Sequence, residues 1–128
     1  MLKTYLVIAL GGSIGAVARF YLTTTVTIFY TNLPVGTLIV NCLGCFLLGL
    51  LLGIFTLGSE LPETFRHFAI VGILGSFTTF SAFSFELVTM LQKQQWTAFA
   101  LYLGASLCFG LLALVSGYTL SKLIMSIL

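Results

Sequence analysis

Phe77, Phe80 and Phe83 recur every third residue in a stretch that also carries Thr78, Thr79, Ser81 and Ser84. A phenyl ring has a negative face and a positive edge. Ring edges turned into a passage therefore attract an anion without the full positive charge that would trap it. Neighbouring hydroxyls replace part of the hydration the anion sheds, and conduction needs sites favourable enough to enter yet weak enough to leave. The same spacing also makes an aromatic packing stripe, and twelve phenylalanines in 128 residues make clusters common. On spacing alone both readings stand.

Other polar groups lie where apolar neighbours make them costly. Asn41 offers two donors and two acceptor sites. It serves either as interhelical glue, worth about 0.6–2 kcal/mol, or as a source of N–H groups for an anion. Gly11, Gly15 and Arg19 stand at i, i+4 and i+8 on one helix face. The glycines let helix backbones approach closely, whereas a cation inside an apolar run is usually functional or paired. Arg19 is open to three roles: capping carbonyls, meeting an acidic partner, or drawing anions into a vestibule. Glu86 is the one carboxylate inside an apolar run, and proton coupling, gating, pairing with a cation and an interfacial position all fit it. Tyr102, Ser106, Gly110, Ala113 and Gly117 descend one helix face as a polar track grading into small residues; a packing seam has the same pattern. Cys42 and Cys45 have CxxC spacing without a companion pair of ligands and read as small apolar filler, and three cysteines in apolar runs argue against a disulfide framework. His67, beside a polar loop, reads as interfacial. Gly11-Gly12-Ser13-Ile14-Gly15 lacks the preceding strand of a phosphate-binding loop.

The elements that position these residues follow from composition. Hydrophobic residues make up 59% and charged residues 6% of the chain, with mean hydropathy +1.18. A soluble domain carries about 25% charged residues, so lipid is the expected solvent. A net charge of +2 over so few charged side chains is too little for a nucleic-acid footprint, which needs clustered Lys and Arg. A membrane-crossing helix takes roughly 20 apolar residues, and four stretches qualify: 2–29, 35–57, 67–91 and 96–120. Together they predict one all-α transmembrane domain over residues 1–128. Lys3 and the run after it imitate a signal peptide, but Arg19 interrupts the expected cleavage region and more apolar sequence follows. Residues 30–34, 58–66 and 92–95 read as connections, and Trp96 and Tyr118 suit the two interfaces.

In the third stretch, Gly75 to Ser84 packs hydroxyl and β-branched residues into a span, and these compete for their own backbone. Irregular backbone at membrane depth is tolerated only where protein buries it or water and ions reach it. A break in the third helix is therefore expected near Gly75–Ser81. Lys3, Arg66 and Lys122 fall on one side, Lys93 on the other, and Arg19 lies within the first span. So weak a positive-inside bias predicts either a fixed topology set by the small excess or insertion both ways round, with an antiparallel, dual-topology homodimer as the assembly. No Ser/His pair, paired Asp or HExxH set lies within the spans, so an enzyme is not expected.

Taken together, Gly11-x3-Gly15-x3-Arg19, Gly36-Thr37-x3-Asn41-x2-Gly44 and Gly72-x2-Gly75-Ser76-Phe77-Thr78-Thr79-Phe80-Ser81-Ala82-Phe83-Ser84 resemble the CrcB/Fluc family of fluoride channels over nearly the whole chain. The resemblance implies an antiparallel homodimer in membrane lipid with two pores, each drawing side chains from both subunits. It implies that Phe80 and Phe83 are pore phenyls, that Asn41 is a pore-side amide, and that Tyr102 and Ser106 form a polar track, with Thr37 and Ser81 as further pore hydroxyls. Arg19 and Glu86 belong to a vestibule or gate on this reading. The carbonyls of Gly75 and Thr78 hold a structural sodium ion on the dimer axis. The function implied is passive export of fluoride across the bacterial cytoplasmic (inner) membrane. Ala82 and Gly110 depart from the pattern, since hydroxyls often occupy those places. A dual-topology multidrug transporter would favour an acidic residue in the binding span, and an accessory subunit would not need the phenyl–hydroxyl stretch.

Overall fold

Pro34 presets the backbone torsion of a helix start, and α2 (Val35–Thr56) begins immediately after it. Before it, α1 covers Leu2–Phe29. The computed structural model describes residues 1–29, 33–56 and 62–127; Leu57, most of the first connection and residues 58–61 of the central loop lie outside them. The third span runs in pieces: α3 (Glu63–Arg66), a π-helical stretch (His67–Leu74), α4 (Gly75–Phe77) and α5 (Phe80–Gln92). The last helix, α6, covers Trp96–Ile127. Four segments, of 27, 22, 30 and 32 residues, are long and apolar enough to cross a membrane. At 1.5 Å per residue each exceeds the hydrocarbon thickness of about 30 Å.

Two boundaries differ from the sequence reading. The third span begins at Glu63, four residues inside the expected loop. Pro62 supplies the N-terminal backbone angle, and Glu63 places a carboxylate by the positive end of the helix dipole. The last helix continues past 120 to Ile127, because Ser121–Ile127 contains no Gly or Pro to stop it. There Lys122 folds back over the Tyr118 ring, 4.5 Å from its centroid.

Glycines decide which helices pair. Gly11 and Gly15 of α1 abut the backbone of Phe68, Gly72 and Ile73, and a Cβ on Gly72 would meet the Gly11 Cα at 2.9 Å. The π-helical stretch is thus pressed against α1 with no side chain between them. On the other side, α2 and α6 run together along their length, Gly49 against Leu114 and Gly117 against Phe46. Gly53 receives Ser121, whose side chain is fully buried. Without a hydrophobic force between helices in lipid, such close backbone packing supplies much of the association.

The threonine run of α1 survives at membrane depth by bonding its hydroxyls to its own backbone. Thr23 donates to the Arg19 carbonyl at 2.9 Å, Thr24 to Phe20 at 2.7 Å and Thr27 to Thr23 at 2.7 Å. Each hydroxyl is satisfied without a partner helix. The turn after α5 closes with Gln94 N–H on the Leu91 carbonyl at 3.0 Å and Gln95 N–H on Met90 at 2.9 Å. This Schellman arrangement sets Gln94 in the left-handed region, at φ 56°.

Candidate functional site

The break falls at Thr78 and Thr79, whose backbones are extended (ψ 153° and 118°). It lies within the expected Gly75–Ser81 window, and Asn41 holds it open. The Asn41 Nδ2 donates to the Thr79 carbonyl at 3.1 Å, and the Thr79 N–H donates to Asn41 Oδ1 at 2.8 Å. A continuous helix would have sent that N–H to the Gly75 carbonyl. Three residues on, the Ala82 N–H goes to Thr79 Oγ1 at 3.2 Å rather than to the Thr78 carbonyl. The carbonyls of residues 75–78 therefore lose their helical partners at the break, those of Gly75 and Thr78 among them. Such hard, uncharged oxygens suit an alkali cation. Among the described residues no cluster of His, Cys, Asp or Glu could hold a metal.

Beyond the break, the rings of Phe80, Phe83 and Tyr102 form a ladder. Phe80 and Phe83 are 5.9 Å apart with planes at 51°, and Phe83 and Tyr102 are 5.3 Å apart at 56°. Such tilted pairs set the edge of one ring against the face of the next. Phe83 and Tyr102 are buried with Met90 in a small core, whereas Phe80 is 79% exposed in the single chain. Phe77 is buried and contacts the Gly44 side of α2, so of the three phenylalanines it is the one that packs.

Two cavities flank the break. The inner one, about 370 Å³, is lined by Asn41, Phe80, Phe83, Ser106 and Gly110 among others, and by Gly75 and Thr78 at the break. The Ser106 hydroxyl is buried there without a hydrogen-bond partner. Gly110 leaves open the space that a longer polar side chain would fill, with Cys45 Sγ as its nearest neighbour. The outer cavity, about 560 Å³, takes Arg19, Thr37, Ala82, Glu86 and Lys93. Arg19 and Lys93 thus share one hollow despite lying 74 residues apart in the sequence.

On the wall of the outer cavity, Glu86 is held by hydroxyls. Thr37 Oγ1 donates to Glu86 Oε1 and the Tyr102 hydroxyl donates to Oε2, both at 2.6 Å. Those lengths belong to hydroxyl–carboxylate hydrogen bonds, about twice as strong as neutral ones. Of the roles open to Glu86 in the sequence, pairing with a cation is replaced by this double clamp. Ser81 is exposed and reaches only Thr79, at 3.2 Å. The structure therefore brings Asn41, Phe80, Phe83 and Ser106 to one cavity and Arg19, Thr37 and Glu86 to the other, with Tyr102 bridging ring ladder and clamp. In the sequence Lys93 counts only toward the charge bias of the loops and Thr79 only as one of four hydroxyls beside the rings. A lone lysine in a loop and the second of two adjacent threonines carry no periodic signal.

The sequence profile described as CrcB-like protein, Camphor Resistance (CrcB), matches residues 6–118. The chain belongs to the CrcB family. CrcB relatives with the name fluoride-specific ion channel FluC match over almost their full length. One from Maridesulfovibrio salexigens is 40% identical over 124 residues, 95% of this chain and 98% of its own. Another, from Magnetococcus marinus, is 42% identical over 118 residues, covering 91% and 96%. A third, from Thermococcus onnurineus, is 36% identical, covering 90% and 93%. Both cavities and the whole break fall inside the CrcB match.

Proposed function

We propose that this CrcB protein is a fluoride-selective ion channel, one that exports fluoride passively across the cytoplasmic membrane and so confers fluoride resistance. The observation that carries the reading is the tilted ladder of Phe80, Phe83 and Tyr102 on the wall of a cavity that also holds Asn41 and the unpartnered Ser106 hydroxyl. Fluoride sheds tightly held water only where donors replace it. Ring edges attract the anion weakly, and an unpaired hydroxyl supplies one strong donor, so the ion is held without being trapped. The names of the relatives agree with this chemistry. Hydrogen fluoride crosses lipid as a neutral acid and dissociates inside, leaving internal fluoride above equilibrium. An open path for the anion then suffices, without ATP.

Arg19 and Lys93 make the outer cavity an electropositive mouth, which raises the local anion concentration. Two copies in opposite orientations complete the pores. The exposed Phe80 ring supports this, as does the weak Lys/Arg bias. The freed carbonyls of Gly75 and Thr78 fit a structural sodium ion, and their oxygens would hold it with no side-chain ligand. Bound there, sodium neutralises the partial negative charge that the break exposes.

The test is growth of a host lacking its own fluoride exporters. Expression of this chain should restore growth on fluoride medium, and Phe80→Ile should abolish the rescue. Equal growth with an empty vector would refute the reading.

A further inference from the structure

Thr79 is the only described residue that lines both cavities. It is 7% exposed in the single chain, and every polar atom it carries except one hydroxyl proton has a fixed partner. Its N–H and carbonyl are held by Asn41 at 2.8 and 3.1 Å. Its Oγ1 accepts the Ala82 N–H at 3.2 Å, capping α5. An oxygen that accepts from the helix turns its own proton away from the helix. The neighbour available to that proton is Ser81 Oγ, at 3.2 Å. Good hydroxyl–hydroxyl bonds cluster near 2.7–2.8 Å, so this contact is weak and easily exchanged.

We propose that Thr79 is an anion ligand at the passage between the outer cavity and the ring-lined inner one. The proposal rests on the channel reading above. The Thr79 proton sits on Ser81 while the passage is empty and turns to the anion as it passes from the Arg19–Lys93 mouth towards Phe80 and Ser106. Asn41 acts on this step through position alone: by clamping both backbone groups of Thr79 it fixes where the hydroxyl stands. A small anion with high charge density is favoured, since it accepts the strongest hydrogen bond from a single fixed donor. Ser81 is then the resting partner of the donor rather than a competing ligand.

The experiment measures fluoride efflux from liposomes as a function of fluoride concentration, with elution and thermal unfolding in detergent recorded for each variant. Thr79→Val keeps the shape and removes the hydroxyl. It should raise the half-saturating fluoride concentration by at least about tenfold, the low end for a hydrogen bond to a charged group. Thr79→Ser retains both hydroxyl and cap and should recover most of that loss. Ser81→Ala gives a reading independent of the cap: freeing the proton should lower half-saturation by about threefold, the scale of a weak neutral hydrogen bond. Should Thr79→Val fail to fold, the sign of the Ser81→Ala shift decides alone. A rise or no change in that variant overturns the proposal, as does a folded Thr79→Val that conducts like wild type. A wild-type chain that fails to conduct fluoride would overturn the channel reading and this proposal with it, whereas unchanged variants of a conducting wild type refute the Thr79 assignment alone.

Discussion

Removing the Asn41 side chain should close or scramble the break in the third span. In Asn41→Ala both hydrogen bonds to Thr79, at 2.8 and 3.1 Å, disappear together. Thr79 is buried, so its N–H and carbonyl are left without water as a substitute. An unsatisfied buried group costs about 1–3 kcal/mol, and partial relaxation into a helical bond recovers some of it. The expected destabilisation is therefore about 2–4 kcal/mol, larger than the single interhelical contact that Asn41 suggests in the sequence. Asn41→Asp is the control, since it keeps the acceptor for the Thr79 N–H but turns a donor into a second acceptor facing the Thr79 carbonyl. It should cost at least as much as losing one bond. Both are read by urea unfolding in detergent micelles, followed by tryptophan fluorescence from Trp96 and by helix content. A loss below about 0.5 kcal/mol in Asn41→Ala, the level of an ordinary surface change, would show that the break does not depend on this clamp.

Phe80→Ile should cut fluoride flux strongly, since conduction needs the weak site its ring edge supplies, with little effect on the monomer fold because the ring is 79% exposed. Phe83→Ile should lose flux and also about 1–3 kcal/mol, from its two ring pairs; Phe77→Ile should spare flux and affect only stability. Efflux paired with unfolding separates the three. Thr37→Val and Tyr102→Phe each remove one hydroxyl from Glu86 and should cost about 1.5–3 kcal/mol, the range for bonds to a charged group. In a double-mutant cycle their effects should be non-additive, and simple additivity would mean that the two bonds are not one clamp. Gln94→Gly relieves the left-handed backbone at φ 56° and should stabilise by about 0.5–1 kcal/mol, read as a raised unfolding midpoint.

The four spans were legible because length and apolarity alone define them, and the break was legible because hydroxyl and β-branched residues crowd Gly75–Ser84. The close approach at Gly11 and Gly15 also followed from spacing. What escaped the sequence depends on which residues meet across helices. Glu86 lies 49 residues from Thr37 and 16 from Tyr102, and nothing local marks the three as one unit. Thr78 and Thr79 are adjacent and identical, yet Thr78 bonds back to the Leu74 carbonyl at 3.0 Å while Thr79 caps forward to Ala82. The direction is set by Asn41 from another helix. The π-helical register of His67–Leu74 arises where that stretch lies against the glycines of α1, and residue propensities give no sign of it.

The most direct test of the central claim is ion efflux from liposomes holding the purified wild-type chain, followed in parallel with fluoride- and chloride-selective electrodes. Ring edges and a few uncharged donors, with no charged side chain among the residues lining the inner cavity, predict rapid fluoride release once valinomycin clamps the voltage. Chloride should be released no faster than from protein-free vesicles. Equal release of both ions, or fluoride release at the protein-free rate, would contradict the account.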